Sequence, residues 1–198
     1  KIISESSEKG LKVVGGGFQT PQKPFWLLLY NLSMFYGELA SQPERDRKFM
    51  PTLNLAVHRE VIEKVGLMNE ALPRGQDIEW TSRMTLAGYN LHFIPEAAVK
   101  HLPKRKDLKT LRDYVRRSGY YMIKVRHNYP EIFHTPAILK KAFTWRLLAP
   151  LIASCITLKI LFQTSEVRKN WRTLPYIYLQ KLSWCYGAAE SLEEFEKN

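Results

Sequence analysis

One carboxylate in this sequence stands where a helix is predicted to begin. Residues 69–75 form a polar loop, and the pattern after it predicts a helix over residues 76–86. A carboxylate held at the start of a helix can face a cleft and take a proton from a hydroxyl group. Asp77 has this position, and the alternative is that it only caps the helix. Glu79 is the second candidate base, although its spacing predicts that it points away from Asp77.

A histidine, a cluster of cations and two cysteines are the other reactive groups. His101 ends an extended segment, and Lys104-Arg105-Lys106 follow it closely. A lone histidine is usually structural, and a run of charges usually lies in solvent. Cys155 and Cys185 show no CxxC spacing and lie in apolar sequence, which predicts two buried, reduced thiols.

Strands and helices alternate around these residues. Strands are predicted over residues 10–14, 52–57, 89–94 and 97–101, and helices over 24–39, 59–65 and 76–86. Pro95 is expected to break the strand at 89–94. The glycines at 15–17 lack the spacing of a nucleotide-binding loop, so a sharp strand exit is favoured over phosphate binding. The rhythm is typical of an α/β layer architecture.

The second half of the sequence has a different texture. Residues 107–126 predict a basic amphipathic helix, and beyond residue 130 the chain is helical, aromatic-rich and basic. We therefore expect two domains, 1–130 and 131–198. The longest apolar run, residues 147–158, is too short to cross a bilayer. Its bracketing cations, Arg146 and Lys159, and the aromatic residues around it predict peripheral association with a membrane surface.

Net charge narrows the class of partner. Thirty Lys and Arg against nineteen Asp and Glu give +11, which favours an anionic partner such as a phosphorylated molecule or an acidic lipid surface. Nucleic acid is not expected, because no recognised binding motif is present and the cations are spread over several helices.

Six short motifs occur in one order between residues 51 and 101. They are Pro51-Thr52-Leu53-Asn54-Leu55-Ala56-Val57, Val65-Gly66-Leu67-Met68-Asn69-Glu70, Gly75-Gln76-Asp77, Ala87-Gly88-Tyr89, Ile94-Pro95-Glu96-Ala97 and Val99-Lys100-His101. Together they resemble the second half of the family 2 inverting glycosyltransferases of the GT-A fold. The resemblance implies a partial GT-A domain, a Rossmann-like mixed sheet with flanking helices, followed by an α-helical extension.

The resemblance also implies a reaction. A sugar passes from a nucleotide-diphosphate donor to a hydroxyl acceptor with inversion, in polysaccharide or glycolipid synthesis, and Asp77 is the catalytic base. The family carries an acid pair where this chain has Gln76 and Asp77. Without the first acid, Asp77 is expected to ionise more fully and to be a slightly weaker base. The alternative function is a basic membrane-surface or nucleic-acid-binding module without catalysis.

The resemblance implies a divalent metal, Mn²⁺ or Mg²⁺, with His101 supplementing an Asp-x-Asp motif. No Asp-x-Asp occurs in this sequence. In the family that motif precedes the first strand, so its aspartates and the nucleotide-binding half are expected upstream of residue 1, and the isolated fragment is expected to be inactive.

Three further residues are implied to touch substrate, together with Gln76. Asn54 would line the sugar or acceptor pocket, Trp80 would stack on an acceptor sugar, and Arg105 would screen the leaving group. For each a structural interpretation stays open: a turn former for Asn54, core burial for Trp80 and a solvated charge for Arg105. The acceptor is expected to be a saccharide or a lipid-linked sugar, and the protein to be cytoplasmic, peripheral at the cytoplasmic face of a membrane.

Overall fold

The computed structural model describes residues 4, 8, 10–103 and 107–197. They form two compact units. The sheet unit comprises the described residues up to Thr20 together with Gly37–His101, and the helical unit comprises Pro21–Tyr36 and the described residues from Leu102 onward. The mixed α/β architecture with a helical C-terminal part, predicted from the sequence, is confirmed.

A four-stranded mixed sheet is the centre of the sheet unit. Its strands are β1 (Val13–Gln19), β2 (Arg45–Arg47), β3 (Leu55–Val57) and β4 (Leu91–Lys100), in the spatial order β2-β4-β1-β3. β1 runs parallel to β4 and antiparallel to β3, whereas β2 runs antiparallel to β4. Pro95 does not end β4; the β1–β4 pairing instead shifts register between Gly16 and Phe18.

Two helices of the sheet unit pack on this sheet. They follow β3 in the chain and are α2 (Arg59–Val65) and α3 (Gln76–Leu86); α1 (Phe25–Met34) belongs to the helical unit. Both were predicted with these bounds. Val61 of α2 and Met84 of α3 join Val13, Leu91 and Phe93 of the strands in one buried apolar cluster. This cluster fixes the start of α3 relative to the sheet.

The three consecutive glycines lie inside β1 and allow other backbone segments to approach it closely. A Cβ on Gly16 would lie 2.1 Å from the carbonyl oxygen of Ala97, and one on Gly17 would lie 2.5 Å from that of Pro95. They do not form the strand exit that was expected. Their role is close approach, which only a residue without a side chain permits.

The helical unit contains the remaining helices. They are α1 (Phe25–Met34), α4 (Leu108–Asn128), α5 (Pro130–Phe133), α6 (Ala142–Gln163), α7 (Ser165–Lys169) and α8 (Leu174–Lys197). α4 and α8 meet at two glycines: a Cβ on Gly119 would lie 2.1 Å from the carbonyl oxygen of Trp184, and one on Gly187 would lie 1.9 Å from that of Arg116. Because α4 packs on α8, it belongs with the C-terminal helices, whereas the sequence placed a domain boundary after it, near residue 130.

α6 is the one helix, among the described residues, that is long and apolar enough to cross a membrane. It has 22 residues, and an 18-residue window of it has a mean hydropathy of 1.6, so the expectation that this apolar segment is too short to cross a bilayer does not hold for the whole helix. Core helices of soluble proteins can match these values. One face of it is buried against α8 through Trp145 and Ala149. Cys185 of α8 lies in the same cluster, and burial raises the pKa of its thiol to about 11. Cys155 of α6 is exposed, so the prediction of two buried thiols is wrong for this one.

Candidate functional site

Local backbone geometry sets Asp77 at the start of α3. Gly75 precedes the helix with φ of 80°, a left-handed conformation that glycine adopts without strain. Within α3, the hydroxyl of Thr81 donates to the carbonyl oxygen of Met50 (3.0 Å) and accepts from the Met50 backbone N–H (3.2 Å). This pair of hydrogen bonds holds the loop before β3 against the first turns of the helix.

Asp77 is half-buried, and the partial loss of water changes the acidity of its carboxylate. Burial raises its pKa, although hydrogen bonds from the backbone N–H groups of Ile78, Asp77 itself and Thr52 act in the opposite direction. The Ile78 N–H donates to Oδ1 at 2.9 Å. The loss of the neighbouring acid was expected to make Asp77 a slightly weaker base, and burial acts in the opposite direction by raising its pKa.

Capping and reactivity are compatible in this geometry. Gly75 occupies the N-cap position, and because glycine has no side chain it cannot cap the helix with a side-chain acceptor. Asp77 instead satisfies a first-turn N–H from inside the helix, where the helix dipole favours a negative charge. The backbone hydrogen bonds use part of the acceptor capacity of the carboxylate, which retains room for a proton.

A second half-buried carboxylate, that of Glu38, lies close enough to interact with Asp77. Burial raises the pKa of Glu38, the charges of Arg47 and Arg45 lower it, and the charge of Asp77 raises it again. The carboxylate of Glu38 is 3.5 Å from Nη2 of Arg47, which also donates to the Gly37 carbonyl oxygen. Sequence analysis missed Glu38 because it precedes Asp77 by thirty-nine positions and lies in no recognised motif.

Glu79 has a structural partner. Its carboxylate is buried and accepts a hydrogen bond from Nε of Arg83 at 2.8 Å. Arg83 also donates to the carbonyl oxygens of Val65 and Leu67, which ties α3 to the end of α2. Both carboxylate oxygens of Glu79 contact the Arg83 guanidinium inside the fold, so they are poorly placed to accept a substrate proton.

Trp80 lies in the core of the sheet unit. Only 8% of its surface is exposed, and its indole N–H donates to the Gly66 carbonyl oxygen at 2.8 Å. The ring packs in the cluster that contains Val61 and Met84. Core burial was the alternative left open by the sequence, and this geometry favours it over stacking on a sugar.

Asn54 connects three segments of backbone. Its amide nitrogen donates to the carbonyl oxygens of Ala97 (2.7 Å) and Gly17 (3.2 Å). A Cβ on Gly16 would lie 2.2 Å from the same nitrogen, so the glycine is needed for this contact. The amide thereby satisfies carbonyl groups at the register shift between β1 and β4, which is a structural role.

The three other predicted residues are only partly placed. Gln76 is the half-buried first residue of α3, next to Asp77. His101 follows β4, and its ring centroid lies 5.7 Å from that of Phe18. Arg105 lies outside the described residues.

Potential metal ligands do not come together among the described residues. Among residues 10–103 and 107–197, no three His, Cys, Asp or Glu side chains cluster in a way that could hold a metal ion. His101 could therefore contribute one imidazole at most, and the described side chains do not form a metal centre.

Comparison with known proteins relates part of this chain to a glycosyltransferase. No protein-family model matches the sequence, and no solved structure matches it. Glycosyltransferase AglE of Haloferax volcanii is 31% identical to this chain over 91 residues, which are 46% of this chain and 30% of that protein. The chain thus spans under a third of the length of this relative. Over part of its length it is a distant relative of a glycosyltransferase.

Proposed function

We propose that this chain contributes the acceptor-side part of an inverting glycosyltransferase, with Asp77 as the general base. The single observation that carries the proposal is a half-buried carboxylate of raised pKa at the start of α3, in a chain that is related over part of its length to a glycosyltransferase. The donor is a nucleotide-diphosphate sugar, and the acceptor is a hydroxyl group of a saccharide or a lipid-linked sugar.

The reaction is a single displacement. The acceptor oxygen forms a bond to the anomeric carbon, the bond from that carbon to the diphosphate oxygen breaks, and the nucleoside diphosphate leaves. Asp77 takes the proton of the acceptor hydroxyl, so one base is sufficient. A raised pKa strengthens this base, provided that the solution pH stays above it. Burial is the cause that raises the pKa of Asp77, and the charge of Asp77 in turn raises the pKa of Glu38.

The proposal also includes a metal ion and a contact to the leaving group. A divalent ion, Mn²⁺ or Mg²⁺, would neutralise the diphosphate when bound, and His101 is its proposed ligand from this chain. Because the described residues do not build the rest of such a site, no step is assigned through the metal. Gln76 beside Asp77 is the proposed polar contact to the acceptor, and Arg105 the proposed contact to the leaving group.

Replacement of the base tests the proposal. In the protein that carries this chain, Asp77→Asn should lower turnover by roughly a hundredfold or more, the usual contribution of a general base. Nucleotide release from a panel of sugar nucleotides, with and without Mn²⁺, measures it. Asp107→Asn is the matched control, because Asp107 also accepts a backbone N–H at a helix start, that of α4. Equal losses in both variants, or a larger loss in Glu79→Gln, would contradict the assignment.

We also propose that the helical unit associates with the cytoplasmic face of a membrane without crossing it. The outer face of α6 carries five exposed apolar side chains: Phe143, Leu147, Leu151, Leu158 and Phe162. At about 100° per residue they fall within an arc of about 100° on the side opposite the buried residues. Lys159 and Arg146 border this arc on its two sides, an arrangement suited to a helix that lies in the headgroup region.

The aromatic residues support this surface less than the sequence predicted. Trp145 is 3% exposed in the core of the helical unit, and Trp184 packs against the same core. Trp171 is 63% exposed and is accessible to the headgroup region of a membrane. The outer face of α6, instead of a belt of tryptophans, is the contact surface that we propose.

Vesicle cosedimentation tests the surface. The chain should bind anionic vesicles at low salt and dissociate at high salt, since each cation near such a surface contributes about 1 kcal/mol. The double variant Leu147→Gln, Leu151→Gln should lose binding, whereas Leu67→Gln, an exposed apolar residue of the sheet unit, should not. Absence of wild-type binding refutes the proposal, and resistance to alkaline carbonate would show that α6 spans the bilayer.

A further inference from the structure

A cavity of about 160 Å³ lies within the helical unit, away from Asp77 in the chain and built from other elements. α4 contributes Arg126 and His127, the segment after α5 contributes Thr135 and Lys140, and α8 contributes Leu192. The lining is thus apolar on one side and carries three nitrogen-bearing side chains and a hydroxyl on the other. All of these residues belong to one unit.

Arg126 is the unusual group in this cavity. Its Nε is fully buried and has no hydrogen-bond partner, and among the described residues no acidic side chain forms an ion pair with it. The guanidinium carbon lies 5.1 Å from the ring centroid of Phe133 and 5.7 Å from that of Trp184. The two rings hold the cation in place, but a ring face offers no hydrogen-bond acceptor comparable to a carboxylate.

A buried cation in this state is costly. Removing a guanidinium from water is unfavourable unless it is paired and hydrogen-bonded, and burial correspondingly lowers the pKa of Arg126. The buried hydroxyl of Thr135 also has no hydrogen-bond partner. Arg126 and Thr135, which each carry an unpaired polar atom, therefore line the same cavity, and an anion bound there would lie beside both side chains.

We propose that this cavity binds a phosphate monoester group through Arg126, His127, Lys140 and Thr135. A phosphate presents three acceptor oxygens and close to two negative charges at neutral pH. The planar guanidinium can donate two parallel hydrogen bonds to it, and the three other groups can donate the rest. A carboxylate offers two oxygens and a single charge, so it would leave part of this set unsatisfied.

The volume limits the size of the ligand. Pockets for drug-sized ligands measure roughly 300–1,000 Å³, so about 160 Å³ accommodates a headgroup and little more. The phosphate could come from a free ion or small metabolite, or from the headgroup of an anionic lipid whose chains remain outside. Both sources share the chemistry that the cavity recognises.

Binding of inorganic phosphate by the full chain, followed by calorimetry and by thermal unfolding, tests the site. Phosphate should raise Tm of the wild type, and Arg126→Met, which keeps the length and apolar stem of the side chain, should weaken binding at least tenfold. Arg172→Met is the matched control, because Arg172 also lies over an aromatic ring, that of Trp171, but outside this cavity. Lys140→Gln should weaken binding to a smaller extent, whereas Lys141→Gln next to it should not.

A second arm separates the two sources. Vesicles of phosphatidic acid in phosphatidylcholine are compared with pure phosphatidylcholine, using wild type, Arg126→Met and the Leu147→Gln, Leu151→Gln variant. Loss of headgroup preference in Arg126→Met alone would assign the site to a lipid phosphate, even if free phosphate binds weakly. If free phosphate and the phosphatidic acid headgroup both fail to bind the wild type, if Arg126→Met binds equally well, or if acetate competes as strongly as phosphate, the proposal is overturned.

Discussion

The sheet unit and the helical unit both bury charge, but the charges differ in sign and in their partners. Asp77 and Glu38 of the sheet unit are half-buried acids with nearby donors: backbone N–H groups for Asp77 and Arg47 for Glu38. Arg126 of the helical unit is a half-buried base that rests on two aromatic rings, and no acid of the described residues pairs with it. The environment of Asp77 suits the proton transfer that we propose for it, whereas that of Arg126 suits the anion that we propose. Within one chain, the same cost of desolvation supports two different kinds of site.

Close backbone contacts give the largest expected effect, and they occur in both units. Gly119→Ala and Gly187→Ala should destabilise the helical unit by roughly 1–3 kcal/mol or more, because the new Cβ would meet backbone of the facing helix. In a helix without such a contact, Gly→Ala would stabilise the protein by about 1 kcal/mol through helix propensity. The sign of the change in unfolding free energy therefore shows whether the close contact exists. Chemical denaturation measures it. Arg117→Ala, exposed on α4, should change stability by no more than about 0.5 kcal/mol, and a stabilised Gly119→Ala would contradict the α4–α8 packing.

Asn54→Ala should give the next largest loss, in the sheet unit. Its two hydrogen bonds to backbone carbonyl groups would be removed, at a cost of about 1–3 kcal/mol. Asn69→Ala is the control, since Asn69 makes an exposed contact to the Ala71 N–H. Urea unfolding and substrate KM are measured together. Unchanged stability with a raised KM would restore Asn54 to the substrate pocket and remove it from the structural role.

Arg126→Met should stabilise the helical unit when no anion is present, by about 1 kcal/mol or more, because the variant replaces an unpaired buried charge by an apolar side chain. Thermal unfolding in phosphate-free buffer measures this effect. Addition of phosphate should reduce the difference by stabilising only the wild type. A variant that is less stable than the wild type in both buffers would show that the cation is already satisfied within the fold.

Asp77→Asn should also stabilise the protein, as Arg126→Met should, but by an amount that depends on pH. The pKa of Asp77 is raised in the folded state, so the folded protein holds the proton more tightly than the unfolded chain. The wild type therefore loses stability as the pH rises from about 4 through the folded pKa, and the variant does not. Tm should be higher for Asp77→Asn at neutral pH, and this advantage should vanish below about pH 4. A constant difference across that window would contradict the raised pKa.

His92 should give the smallest effect. Burial lowers its pKa, but hydrogen bonds with Asp46 (2.6 Å) and Glu44 (2.8 Å) raise it overall. This stabilisation is complete below the unfolded pKa near 6.5 and is lost as the pH rises through the folded value. His92→Gln should cost about 0.2–1 kcal/mol at pH 5.5 and nearly nothing well above the folded pKa. Equal losses at both pH values would assign His92 an uncharged packing role instead.

Local sequence signals determined the elements and the position of the candidate base. Glycines after two amphipathic segments fixed the ends of α2 and α3, and the polar loop before Asp77 fixed the start of α3, because these signals act within a few residues of the chain. The α/β class followed from the alternation of such elements. Asp77 was found in this way, as a carboxylate at a helix start.

Only the tertiary structure decided what surrounds each side chain. Glu38 approaches Asp77 across thirty-nine positions, and its interaction depends on the packing of distant segments, which no local pattern encodes. Trp80 and Asn54 have residue types that suit a sugar site, but burial and two backbone acceptors assign them to the fold. The boundary near residue 130 was placed where composition changes, whereas the Gly119 and Gly187 contacts join α4 to α8. Composition records local texture, and burial, electrostatic environment and unit membership arise from contacts between residues far apart in the chain.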